Sequence, residues 1–145
     1  MITAEPFDAL DTRTAYAVWR LRQQVFVVEQ DCPYADLDGR DLEPGTRHVL
    51  LREAPDSTGV LGYCRVVDDG DVWRIGRVVL EPSVRGRGLA DAVVDIALKV
   101  CPGRDVVLDA QSPLARWYAG LGFEVDGPEF VEDGIPHTPM RLKQS

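Results

Sequence analysis

Apolar positions along the chain switch between two periods. Leu89, Val93, Ile96 and Val100 recur at intervals of four, three and four, the repeat of one face of an α-helix. Before them, Ile75, Val78, Val79 and Leu80 form a mostly β-branched run that Pro82 ends by removing a donor, which predicts a strand over Val72–Leu80. Further strands are expected at Ile2–Glu5, His48–Leu51, Val60–Val67 and Val106–Leu108, with a short one near Phe123–Val125 and a last one around Met140–Leu142. Turns at 56–59 and 68–71 separate the central strands, and a Gly/Pro loop precedes the last. A helix is predicted from an N-cap at Asp11 or Thr12 to about Val28, with Val18, Leu21, Val25 and Val28 on one face. Val25–Val28 is apolar all round, so its end is expected to be buried on more than one side. Pro113 starts another helix, bearing Leu114, Trp117, Tyr118 and Leu121, and Gly122 closes it. Strands alternating with helices in 145 residues read as one α/β domain, 1–145, on a mixed sheet.

Composition narrows the setting. Hydrophobic residues make up 45% and charged residues 28%, as in ordinary globular chains, and no apolar run is long enough to cross a bilayer. The first residues lack a basic and then apolar targeting pattern, so a cytoplasmic location and no membrane partner are expected. Cys32, Cys64 and Cys101 are widely spaced, with no metal-ligand or disulfide spacing, and read as free thiols. Cys32 lies in a polar loop and is the thiol whose reactivity merits a test. A net charge of −8 argues against nucleic acid as a partner and suits a cationic one such as an amine.

The segment 29–45 is long, acidic and broken by two prolines and two glycines, as loops that wall a substrate site often are. Its Asp36-Leu37-Asp38-Gly39 has the start of a calcium loop but lacks the terminal bidentate glutamate, so no metal is expected.

The stretch between the predicted strand and the central helix carries the chemistry. Arg85-Gly86-Arg87-Gly88 opens directly onto a first helical turn whose N–H groups have no intrahelical acceptors. Those donors, the positive end of the helix dipole and two arginines suit a phosphate or pyrophosphate. No Gly-Lys-Ser/Thr follows, and the glycine spacing is not that of a dinucleotide fold. Arg85-Gly86-Arg87-Gly88-Leu89-Ala90 instead resembles the R/Q-x-x-G-x-G/A pyrophosphate loop of the GNAT superfamily of acyl-coenzyme A-dependent N-acyltransferases.

Two further segments extend the resemblance. Leu108 to Phe123, with Gln111 where the pattern usually has Asn and with Trp117-Tyr118 and Gly122-Phe123 matching, resembles the strand–helix segment that ends a GNAT core. Phe26 to Gly39, with Arg47-His48, Gly76-Arg77-Val78 and Glu132 to His137, is similar to the ElaA-type branch. Together they span most of the chain. The resemblance implies a single GNAT-like domain whose central twisted sheet is mixed, mostly antiparallel and flanked by helices. It also implies acetyl-CoA as acyl donor, a primary amine (small molecule, peptide or protein) as acceptor, and direct attack in a ternary complex. A homodimer is expected by analogy with related folds.

By that resemblance, Val78, Val79 and Leu80 would offer backbone N–H groups to the acyl carbonyl, and Arg85 to Ala90 would hold the pyrophosphate with Gln111 nearby. Tyr118 would protonate the departing thiolate, which a phenol of pKa about 10 can do. Glu29, Tyr34 and His137 are expected to line the acceptor site. An alkylammonium of pKa about 10.4 must also lose a proton. Glu29, Asp36, Asp38, Asp41, Asp109, Glu132, Asp133, His137 and ordered water all stand as acceptors for it, and His48 reads as structural. Two alternatives stay open: another acyl-CoA as donor, or a non-catalytic acyl-CoA-binding module that would not depend on Tyr118.

Overall fold

The computed structural model describes residues 1–57 and 59–144, so Thr58 of the 56–59 turn lies outside the described residues. An eight-stranded sheet runs in the order β1-β2-β3-β4-β5-β8-β6, with β7 paired to β8. Strands β1 (Ile2–Glu5), β2 (Arg47–Leu51), β3 (Gly62–Asp68) and β4 (Val72–Leu80) form an antiparallel meander. β5 (Asp105–Gln111) joins β4 in parallel, and β8 (Ile135–Leu142) then pairs antiparallel with β5, with β6 (Glu124–Val125) and with β7 (Phe130–Glu132).

Helices cover both faces. α1 (Thr12–Arg22) begins where the Asp11 carboxylate accepts the Thr14 N–H at 2.7 Å, the expected N-cap. Its Val18 and Leu21, with Val25 beyond, pack on Leu50, Tyr63 and Val79. α2 (Leu89–Lys99) and α3 (Ala115–Gly120) bury Val93, Ala97 and Tyr118 against Cys64, Val66, Ile75, Leu108 and Met140 on the other face.

Two expectations about elements need correction. The first helix does not keep an α-helical winding to Val28: Gln23–Glu29 is a π-helical turn, and the Gln30 and Cys32 N–H groups bond five residues back to Val25 and Val27. The wider turn advances each residue through a smaller angle, so Val28 turns away from buried Val25 and is 66% exposed. The last strand is also longer than Met140–Leu142, starting at Ile135 across Pro136 and Pro139. Its hairpin partner β7 occupies part of the expected Gly/Pro loop. Asp133 (φ 52°) and Gly134 (φ 77°) make a two-residue left-handed turn between them, the geometry that Asp-Gly favours.

Among the described residues no helix is long and apolar enough to cross a membrane.

Candidate active site

The sheet is split at its centre. β4 and β5 pair only from Val72–Arg74 to Asp105–Val107, and beyond that point they part. β4 carries a bulge where they separate: Tyr63 faces Val79 and Arg65 faces Gly76, so Arg77 and Val78 both stand opposite Cys64. Arg77 takes a left-handed φ of 55°, a conformation that costs a non-glycine residue roughly 1–3 kcal/mol and persists only where its surroundings hold it. Here Asp36 does so, accepting from Arg77 Nε at 2.8 Å through its carboxylate and from Nη2 at 3.1 Å through its carbonyl. The parted strands leave peptide groups of β4 facing a cleft of about 700 Å³, within the size range of small-molecule sites.

One wall of the cleft is the acidic loop after Glu29, and buried arginines hold it in place. Arg22, fully buried at the end of α1, donates to the Asp36 carboxylate at 2.9 Å, the Asp36 carbonyl at 2.8 Å and Asp41 at 2.7 Å. Arg65 forks onto Asp38 at 2.8 and 2.9 Å and reaches Asp41 at 3.2 Å. Burial alone would raise the carboxyls of Asp38 and Asp41, but the arginine hydrogen bonds and charges outweigh it, holding Asp38 at about 2 and lowering Asp41. These carboxylates are therefore spoken for by arginine. His48 is structural, as expected: one ring nitrogen meets the Tyr63 hydroxyl at 2.6 Å and the other the Asp41 carbonyl at 3.0 Å, and burial lowers its pKa.

The glycine-rich turn reaches the cleft through Arg85 alone; Gly86, Arg87, Gly88, Leu89 and Ala90 are not lining residues. Gly86 (φ 80°) and Gly88 (φ 73°), the N-cap of α2, both have left-handed backbones, and a Cβ on either would meet nothing within 4 Å. Glycine is thus required there by conformation and leaves open space above the turn. Gly86, Arg87 and Gly88 are exposed, and Leu89 and Ala90 form the half-buried first turn of α2. Arg85 lines the cleft, but its guanidinium grips the Glu29 carboxylate at 2.8 and 3.0 Å, and its Nε reaches the Leu80 carbonyl at 3.2 Å.

Tyr118, Val78, Val79, Leu80, Gln111, Tyr34 and His137 all line the same cleft. The Tyr118 ring is buried against Trp117 and Phe123, with centroids 4.6 and 5.9 Å away, and Trp117 in turn donates to Asp91 on α2 at 2.8 Å. Burial pushes the Tyr118 phenol well above its ordinary pKa, so it keeps its proton at neutral pH. Its hydroxyl makes no hydrogen bond among the described residues. Gln111 donates to the Gln30 side chain at 3.2 Å.

Two expected acceptor residues are otherwise occupied. The Tyr34 hydroxyl donates to Asp36, and the Arg77 guanidinium lies over its ring, 5.5 Å from the centroid. Glu29 is not a lining residue and sits instead on Arg85, because the π-helical turn carries it to that side. Cys32 is buried rather than loop-exposed, and its thiol donates to the Asp133 carbonyl at 3.4 Å, tying the acidic loop to the β7–β8 turn.

A sheet split beside a bulge, with a glycine-rich turn at one end of the split and a buried tyrosine within it, is the architecture of the acyl-CoA N-acyltransferases. The comparisons agree. Residues 21–144 match a family model described as an acetyltransferase (GNAT) domain. The chain is 44% identical over 135 residues to the UPF0039 protein Rv2851c of Mycobacterium tuberculosis, covering 90% of this chain and 85% of that one. It is 36% identical over 138 residues to the protein ElaA of Escherichia coli, covering 90% and 88%. The crystal structure of that ElaA matches with a TM-score of 0.92 over 99% of both chains at 32% identity. An acyl-CoA N-acyltransferase from Pseudomonas aeruginosa matches with a TM-score of 0.89 over 98% of both at 35% identity. The chain belongs to the GNAT acetyltransferase family, in its ElaA-like branch, and that family carries out acyl transfer from coenzyme A thioesters to amines.

Proposed function

We propose that the protein is an acetyl-CoA-dependent N-acetyltransferase acting on a primary amine by direct attack within a ternary complex. The observation that carries this reading is the β5-facing edge of β4 beyond Arg74, left without a strand partner and lining one cleft with Arg85, the first residue of the glycine-rich turn, and Tyr118. An extended ligand that carries amides can add to such a strand edge through main-chain hydrogen bonds, as a coenzyme A arm would. Its pyrophosphate would meet the N–H groups from Arg85 to Ala90 at the positive end of α2.

The thioester carbonyl would then lie beside the Val78–Leu80 backbone, whose N–H groups stabilise the oxyanion as the amine attacks. The carbon–nitrogen bond forms and the carbon–sulfur bond breaks. Tyr118, held protonated by burial, donates to the departing thiolate. The dry surroundings that raise the phenol also raise the thiolate's proton affinity, so the transfer remains balanced. The acceptor enters from the other side of the split, between the acidic loop and the β7–β8 hairpin.

Isothermal titration with acetyl-CoA, coenzyme A and ATP, repeated on an Arg85→Glu/Gly88→Glu double variant, tests this reading. Micromolar binding of both coenzyme A species, lost in the variant and absent for ATP, is expected. Folded protein that binds neither species would overturn it. A protein that binds coenzyme A but releases thiol with no amine would be an acyl-CoA-binding module instead.

A further inference from the structure

The proton that leaves the attacking amine needs a destination, and the structure removes most candidates. Glu29 is outside the cleft and paired to Arg85. Asp36 accepts from Arg22, Arg77 and Tyr34 together. Asp38 and Asp41 are held by Arg65 and Arg22. Asp109 pairs with Arg74 at 3.3 Å. Glu132 and Asp133 also line the cleft, but they lie exposed on and beside the β7–β8 turn, and no hydrogen bond among the described residues aims either carboxylate into it.

His137 differs from all of these. Its Nδ1 lies 2.8 Å from the Ile135 carbonyl, and because a carbonyl oxygen can only accept, the proton is on Nδ1. In the neutral ring the lone pair is then on Nε2, which has no hydrogen-bond partner among the described residues. The ring is stacked on Phe130 at 5.6 Å and 19°, which fixes its plane. Sheet register gives its place. His137 is the antiparallel partner of Gln111 at the end of β5, and both line the cleft together with Gly76, Arg77 and Val78. The imidazole thus stands one strand beyond β5, on the sheet face opposite Leu108 and Ala110.

We infer that His137, through Nε2, is the proton acceptor for the amine, directly or through one water. This rests on the acyl-transfer reading above. The amine arrives as an ammonium and gives one proton to Nε2, which frees its lone pair. Nitrogen bonds the thioester carbon, sulfur departs and takes the Tyr118 proton, and the second nitrogen proton returns to the Tyr118 oxygen through water. The proton on His137 passes to solvent. The products are amide and thiol, with one proton released per ammonium consumed.

The test uses the full chain and His137→Gln, which keeps a hydrogen-bonding side chain of similar reach. Acetyl-CoA binding is measured first by calorimetry and should match the wild type within about twofold. Failure of the wild type to bind would overturn the parent reading rather than this one. Thiol release is then followed with two probe nucleophiles, n-butylamine, which is protonated at neutral pH, and hydroxylamine, which is not. The variant should lose about 10²-fold with butylamine, the scale of general base catalysis, and change little with hydroxylamine. With butylamine the variant's deficit should shrink with pH as free amine becomes available, on a rising limb that is shallower in the wild type. Arg74, Arg77, Asp38, Asp109, Glu132 and Asp133 share the cleft, and Glu132→Gln and Asp133→Asn should leave that limb in place. Equal loss with both nucleophiles, or none with either, would overturn the assignment, as would a wild type that binds acetyl-CoA and transfers to neither. A nitrogen-15 spectrum gives an independent reading: the Nδ1–H tautomer is expected, and an Nε2–H tautomer would sink the geometry.

Discussion

The first arginine of the glycine-rich turn is already gripped by an anion: both terminal nitrogens of Arg85 meet the two oxygens of Glu29, at 2.8 and 3.0 Å. That hydrogen bond lowers the Glu29 pKa, so the carboxylate is ionised at neutral pH. A phosphate using the same guanidinium fork must displace it. Both side chains are about two-fifths exposed, so the pair is weak and readily exchanged. Glu29→Gln is expected to tighten coenzyme A binding by about two- to fivefold at low salt, with the gain shrinking as salt screens the site. Calorimetry at two ionic strengths checks this, and weaker binding in the variant would mean that Glu29 helps to build the site.

Tyr118 offers a cleaner separation of binding from chemistry. Its ring packs on Trp117 and Phe123, while its hydroxyl contributes no internal hydrogen bond among the described residues. Tyr118→Phe should therefore fold with unchanged stability and bind acetyl-CoA within about twofold. Turnover should fall by about 10²-fold through loss of the general acid. Turnover that survives in the variant would remove Tyr118 from the mechanism.

The loop wall should respond to acid. Asp38 is held at about 2, below its unfolded value of 3.8, so the folded state binds its proton later than the unfolded chain does. Its contribution is complete above about pH 4 and is lost as pH falls toward 2, at most about 2 kcal/mol from this group. Asp41, also lowered, adds to the same slope. Urea midpoints measured between pH 5 and 2 should fall, and Asp38→Asn should flatten the dependence while lowering stability at pH 7. An unchanged slope in that variant would mean that the ion network does not report on folding.

Much of this architecture was legible in the chain because its signals are local. The strand Val72–Leu80 lies where its β-branched run predicts, Asp11 caps the first helix, and Gly86 and Gly88 take the left-handed conformations that open the turn. The long β8 was hidden because Pro136 and Pro139 read as breakers, although Asp133-Gly134 carried a hairpin signal that would have revealed it. The π-helical turn has no compositional mark, so neither the exposure of Val28 nor the pairing of Glu29 with Arg85 is legible in the chain. The arginine network was out of reach for another reason. Arg22 finds Asp36 and Asp41 at separations of 14 and 19 residues, and Arg77 finds Asp36 at 41, which charge counting along a sequence cannot pair.

Gly76 allows a last prediction, about the acceptor. It lies within β4, where glycine forfeits packing and backbone order. It has no left-handed φ to require glycine, and an added Cβ would meet nothing within 4 Å. Yet it lines the cleft directly across from Arg65 and beside the bulge, so the space above it is the cleft itself. Glycine there keeps the floor of the cleft low. Gly76→Ala should stabilise the fold by roughly 0.5–1 kcal/mol through the unfolded chain. Gly76→Val should also fold and should bind coenzyme A as before, since the glycine-rich turn proposed to hold its pyrophosphate lies beyond the far end of β4. Thiol release with a series of amines should then fall progressively as the acceptor grows, most steeply in the valine variant. Equal rates across the series in all three proteins would mean that the acceptor does not pass over Gly76, and that its glycine serves the backbone of the bulge instead.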